Sequence, residues 1–180
     1  PSGQPHSYRA ANFDTLIDSP IVVGNPDIYE FTVDKTPHYL VNVGDDGIWD
    51  GTRSAHDVEL IVRQQHNLWG SIPYDRYVIF NLITESGGGL EHKDSTVVMT
   101  SRWQMRDRED YLDWLTLVSH EIFHAWNVKR LRPIELGPFD YEKEVHTRSL
   151  WAVEGLAVYY GALLVHRAGL SSRDEYFTSL

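Results

Sequence analysis

The sequence has no cysteine, so no disulfide framework holds the fold and no thiolate can bind a metal. Any metal must be held by histidine, aspartate or glutamate. Long apolar runs are also missing: none reaches the roughly 18 to 20 residues that span a bilayer, which argues against a membrane role. Basic residues are few, 16 Lys and Arg against 26 Asp and Glu, for a formal charge of -10. Phosphate backbones are recognised through clustered Lys and Arg, so this balance argues against nucleic acid as a partner. The small cluster of Lys129, Arg130 and Arg132 falls where a helix would end and reads as dipole complementation plus packing. The chain opens on Pro1-Ser2-Gly3-Gln4-Pro5 without Met or an apolar signal segment, and it stops soon after a new helix starts at 171–175; it reads as a piece cut from a longer protein. The missing thiols leave the compartment open, a bacterial periplasmic or other extracytoplasmic one included. The oligomeric state is equally open.

What is present suits a globular protein. The 180 residues are 42% hydrophobic and 23% charged, enough for one well-buried core. The character of the chain changes near residue 105. Before it come short β-rich runs at 28–33, 38–43, 77–83 and 95–100, separated by turn residues such as Asp45-Asp46-Gly47. One helical pattern interrupts them over 53–69, with Val58, Ile61, Val62, Gln65 and Trp69 near helical spacing. After residue 105 come two long helical patterns, 109–131 and 147–168, joined by a stretch carrying Pro133, Gly137 and Pro138. A sheet layer followed by paired helices predicts an α+β fold. The expected division is a lead-in segment over 1–20 and a partial domain over 21–180, with a sheet-rich lobe (21–105) and a lobe of paired helices (106–180).

The first long helix carries His120-Glu121-x-x-His124. Residues four apart on a helix stand one above the other, so both imidazoles can aim a nitrogen at one ion about 2.0 to 2.1 Å away. Glu121 lies about 100° round from His120, beside such an ion without ligating it. A general base needs that position to take a proton from an activated water. Chance alone would put the motif in about one chain of this length in a few hundred, so its surroundings decide. A catalytic zinc keeps three protein ligands and an open position. The extended pattern His-Glu-x-x-His-x-x-Gly-x-x-His is excluded, because Asn127 and Arg130 stand where it needs Gly and His. The second long helix offers Glu154, the only acidic residue in the apolar stretch Leu150 to Leu164. A buried carboxylate there has to lose its charge or find a cation, and a zinc ion is a sufficient one. Gly155, Ala157, Gly161 and Ala162 would let this helix pack closely on the first. The alternatives are an ion pair of Glu154 with Arg148 or Arg167, or a third ligand from Glu142, Glu144 or His146 in the polar connector.

HEIFHAWNVKRLRP, LWAVEGLAVYY and GGLEH, in that set, resemble the glycyl aminopeptidase family of zinc peptidases, relatives of the thermolysin-like enzymes, or gluzincins, in which Glu is the third ligand. The resemblance runs from Asp14 to Leu180. It implies a thermolysin-like catalytic domain, Zn2+ held by His120, His124 and Glu154, and Glu121 as the catalytic base. It further implies that Gly88, Gly89 and Glu91 bind substrate: glycines let a peptide backbone come close, and the Glu91 carboxylate holds a free α-amine, so that the first peptide bond is the one cut. The segment 95–100 is then expected to be the edge strand that pairs with the peptide. One departure from the family pattern is Ala157, where family members often carry Thr. The implied activity is zinc-dependent hydrolysis of the N-terminal peptide bond after a small residue such as Gly or Ala. A catalytically silent peptide-binding relative and a zinc endopeptidase are the other readings. The donor for the oxyanion is unassigned, with His166, Tyr159 and Tyr160 as the first places to look. Without the cleft wall that follows the third ligand in thermolysin-like folds, the apolar face of 151–164 is expected to be exposed.

Overall fold

The computed structural model describes residues 5–180; the first four residues of the expected lead-in segment lie outside the described residues. Five strands, β1 (Asp27–Val33), β2 (Thr36–Val43), β3 (Tyr77–Thr84), β4 (Gly88–Glu91) and β5 (Ser95–Ser101), form one mixed sheet in the order β1-β2-β3-β5-β4. The helices are α1 (Phe13–Ile17), α2 (Gly51–Trp69), α3 (Arg108–Phe123), α4 (Leu150–Arg167) and α5 (Arg173–Thr178). The outer pairs β1–β2 and β4–β5 are antiparallel, and the inner pairs β2–β3 and β3–β5 are parallel. The fold is therefore α+β, with the sheet first and the paired helices after it.

Local chemistry accounts for the elements. The side chain of Asp50 accepts from the Arg53 N–H and caps α2, and Gly70, in the left-handed region at φ 66°, ends it. Between those ends Val58, Ile61 and Val62 are fully buried, so α2 crosses from β2 to its parallel neighbour β3 with its apolar stripe on the sheet. α3 lies on the same face. Its Trp114, Leu115, Val118 and Ile122 join Val33, Leu40, Ile79, Ile83 and Val98 in one core, each large side chain contributing about 1.5–3 kcal/mol by its burial. Ser172 and Glu175 form a capping box at the start of α5.

Two expectations need correction. The segment 95–100 is not the edge strand: β5 lies between β3 and β4, and the glycine-rich β4 takes the edge. Gly88 and Gly89 have no side chains to alternate, so this strand is held by its ladder to β5 rather than announced by a pattern. The first long helix also ends sooner than residue 131. His124 is its C-cap, Val128 sits at φ 98°, where a β-branched residue cannot continue a helix, and the N–H groups of Lys129 and Leu131 turn back to the carbonyls of His124 and Trp126.

α4 packs closely against α3 because Gly161 has no side chain: a Cβ there would lie 3.3 Å from the Thr116 carbonyl oxygen and 3.4 Å from His120 Cβ. Its other face leaves Leu150, Trp151 and Val158 exposed. No helix among the described residues is long and apolar enough to cross a membrane.

Candidate active site

The close packing of α3 and α4 brings three donor groups to one point. His120 stands in the last turn of α3, His124 caps it, and Glu154 comes from the start of α4. The two Nε2 atoms are 3.0 Å apart, and Glu154 Oε2 lies 3.3 Å from that of His120 and 3.5 Å from that of His124. Bonds of about 2.0–2.1 Å to a tetrahedral ion set its ligand atoms about 3.3 Å apart, so the donors fit a divalent transition metal. They form the His/Asp/Glu group able to hold a metal among the described residues. Glu154 faces the imidazoles, not Arg148 or Arg167, and in the exposed connector Glu144 and His146 lie 3.6 Å from each other, outside this group.

The surroundings hold both imidazoles ready. His124 Nδ1 is 2.9 Å from the Asn127 carbonyl oxygen; a carbonyl only accepts, so Nδ1 carries the proton and Nε2 presents its lone pair inward. Burial, helped by His124 and partly offset by Glu91, holds the His120 pKa down to about 4, and the neutral ring is the form that binds metal. Glu121 shows the reverse effect. Burial, then the charges of Glu91 and Glu154, push its pKa up to about 8, near the pH at which a general base is most effective.

The edge strand explains why Glu91 and Glu121 feel each other. Gly89 pairs with Val98 and Glu91 with Thr96, and both partners are buried on the helix-covered face of the sheet; Gly89 and Glu91 therefore face α3, while Leu90 faces the other way and is exposed. A Cβ on Gly89 would overlap the Glu121 carboxylate, so only glycine lets the strand lie against this side chain. Gly88, at φ 114°, needs glycine for its backbone angle. The His92 N–H donates to the Ser95 carbonyl. Counting back along the ladder from that bonded pair leaves the N–H and C=O groups of Gly89 and Glu91 directed away from β5, at the open edge of the sheet.

Side chains from elsewhere fix these parts to one another. Gln65 of α2 donates to the Ser119 carbonyl, next to His120, at 2.9 Å. The Arg130 guanidinium bonds the Ala125 carbonyl just beyond α3, the Pro73 and Lys93 carbonyls, and the Asp94 carboxylate. The basic cluster thus closes the end of α3 and ties it to the β4–β5 turn, while Lys129 pairs with Asp18. Asn127, which no sequence motif assigns a role, donates from Nδ2 to the Val153 carbonyl at 2.8 Å. Of the residues named first for an oxyanion donor, Tyr160 stacks its ring on Phe123 and meets Tyr159 edge-on, and His166 bonds the Ser171 carbonyl and stacks on Tyr176.

Comparison with known proteins bears on the same residues. Over residues 113–180 the chain matches the family model described as M61 glycyl aminopeptidase. The crystal structure of an aminopeptidase N family protein from Idiomarina loihiensis is similar to it, with a TM-score of 0.91 and 35% identity over 98% of this chain. This chain spans 32% of that protein's length. No curated protein matches it. The matched segment contains His120, Glu121, His124 and Glu154 together, and with this likeness in fold it supports a glycyl aminopeptidase family for the chain.

Proposed function

We propose that this chain is the metal-binding part of a zinc aminopeptidase of thermolysin-like type, which hydrolyses the first peptide bond after a small residue such as Gly or Ala. The observation that carries the reading is the convergence of His120 Nε2, His124 Nε2 and Glu154 Oε2 within 3.0–3.5 Å of one another, beside a buried carboxylate that none of them uses. Bound zinc supplies Lewis acidity, which polarises the scissile carbonyl and makes water a nucleophile near neutral pH.

The remaining steps belong to the protein. The open backbone groups of Gly89 and Glu91 pair with an extended peptide laid along β4. Its ammonium group meets the Glu91 carboxylate, and a chain that starts there and stays on the strand runs antiparallel to it, toward Gly88. That pairing sets the first peptide bond over Glu121. Glu121 takes the proton of the attacking water and passes it to the leaving amine. Its bare neighbour Gly89 leaves the carboxylate room to reach both.

The reading is tested with peptides carrying a free or an acetylated amino terminus. The free peptide should be cut at its first bond and the acetylated one should lose most of its rate, with Glu91→Gln narrowing the difference. Equal cleavage of both would remove amine capture and favour an endopeptidase.

A further inference from the structure

We infer that Asn127 is a positioning residue that sets two of the three metal ligands relative to each other. The inference rests on the metal centre proposed above. Its backbone carbonyl accepts from His124 Nδ1 at 2.9 Å, and its side-chain Nδ2 donates to the Val153 carbonyl at 2.8 Å. Val153 is the residue before Glu154. One buried residue, 8% exposed, therefore holds the ring of one ligand through its main chain and the helix carrying another through its side chain.

The link between the two helices does not fix their ligands relative to each other. Between His124 and Glu154 the chain runs through a short 3-10 turn (Ile134–Leu136) and an irregular, largely exposed connector, which transmits no fixed distance. Close packing at Gly161 sets the helix separation, but Gly161 lies nearly two turns along α4 from Glu154. Ala157, buried with Phe123 and bonded through its backbone to the His120 ring, holds the second turn of α4. The Asn127 amide holds the first turn, at the residue next to Glu154. The Val153 carbonyl has two lone pairs, so it can accept from Asn127 as well as from its own helix, and the bond is shielded from water. A fixed donor triangle matters because metal bonds tolerate only a few tenths of an ångström in length. Partners that orient ligands in this way typically account for about 10- to 100-fold in metal affinity.

The irregular path after α3 acquires a purpose in this account. A helix continuing past His124 would leave residue 127 on the same face but direct its carbonyl along the axis toward residue 131, away from the His124 ring. The early cap at His124 and the turn at Val128 instead hold Asn127 between the two helix ends, with its carbonyl under the ring and its amide toward α4.

The test is zinc affinity by chelator competition, with thermal unfolding of the metal-free and zinc-loaded proteins alongside. Asn127→Ala removes the donor, and Asn127→Asp keeps the shape but sets an acceptor against the Val153 carbonyl. Each should weaken zinc binding by about 10- to 100-fold. In a Glu154→Ala background Asn127→Ala should have little further effect, because the ligand through which the side chain acts is gone. Unchanged affinity in folded variants, or an equal loss in both backgrounds, would overturn the inference. A variant that folds only with zinc supports it, since the metal then supplies the missing link; one that is unfolded with and without zinc counts against it, because Asn127 would then be holding the fold and not the ligand. Absence of zinc binding by the unmodified protein would instead sink the metal centre itself.

Discussion

His120 and His124 face each other across 3.0 Å with Glu154 as their third neighbour, whereas His38 and His66 both turn Nε2 to the Tyr74 hydroxyl, at 3.3 and 3.2 Å. Both pairs are held by the packing of helices on the sheet and of one helix on another. Both are largely withdrawn from water, and burial lowers the pKa of His120, His38 and His66 alike. What differs is the point between the nitrogens. In the second pair a hydroxyl fills it: His38 Nδ1 donates to the Thr36 carbonyl, so its Nε2 accepts the Tyr74 proton, while His66 meets the same hydroxyl through Nε2 and the Asp34 carboxylate through Nδ1. Every ring nitrogen of that pair has a protein partner. In the first pair no donor stands at the common point, and a carboxylate joins the two rings there. Lone pairs and negative charge that converge in this way call for a cation. Two close histidines are thus a core feature or a ligand pair according to the third group that meets them.

The largest separation between the two regions should come from Glu121→Gln. It should lower kcat by about 10²–10⁴ while zinc content stays at the wild-type level, as steady-state kinetics and metal analysis would read. Comparable turnover would remove Glu121 as the base. No change at His38 or Tyr74 should produce this pattern.

Acid should act on the core pair through stability. Burial holds His38 at about 4 in the folded protein, against about 6.5 for an unfolded histidine. Between those values the unfolded chain binds the extra proton, so the contribution is intact above pH 6.5 and is lost as the pH falls toward 4. His38 alone then costs about 3 kcal/mol of stability. Urea midpoints of the metal-free protein across this window should fall, and fall less in His38→Gln; a flat wild-type profile would contradict the assignment.

A slightly smaller effect is expected at the edge strand. Gly89→Ala puts a methyl group where the Glu121 carboxylate lies, and a displaced base should cost about 10²-fold in kcat with zinc retained. Wild-type kcat in that variant would mean that β4 does not constrain Glu121. The smallest effect is at Tyr74→Phe, which leaves two buried imidazoles without their shared partner. It should destabilise the metal-free protein by about 1–3 kcal/mol and leave zinc affinity as it was, measured by denaturant unfolding and chelator competition.

The sequence carried the parts of the site that local spacing defines. His120, Glu121 and His124 are read from a four-residue helical repeat, and Glu154 from its isolation among apolar residues; the strands at 27–33, 36–43, 77–84 and 95–101 announce themselves by β-branched runs and turns. β4 was hidden because glycines have no side-chain alternation, so the edge was assigned to its neighbour. The end of α3 was hidden because Trp126 and Val128 prolong an apolar pattern that the backbone abandons. Asn127 and the contact of Gly89 with Glu121 depend on segments far apart in sequence, and no local signal encodes them.

Zinc analysis of the wild-type protein beside Glu154→Ala and Tyr74→Phe tests the contrast between the two histidine pairs most directly. One zinc per chain is expected in the wild type, the same in Tyr74→Phe, and loss of most of it in Glu154→Ala. Full zinc occupancy in Glu154→Ala, or loss of zinc in a folded Tyr74→Phe, would contradict the assignment of His120, His124 and Glu154 as the metal site.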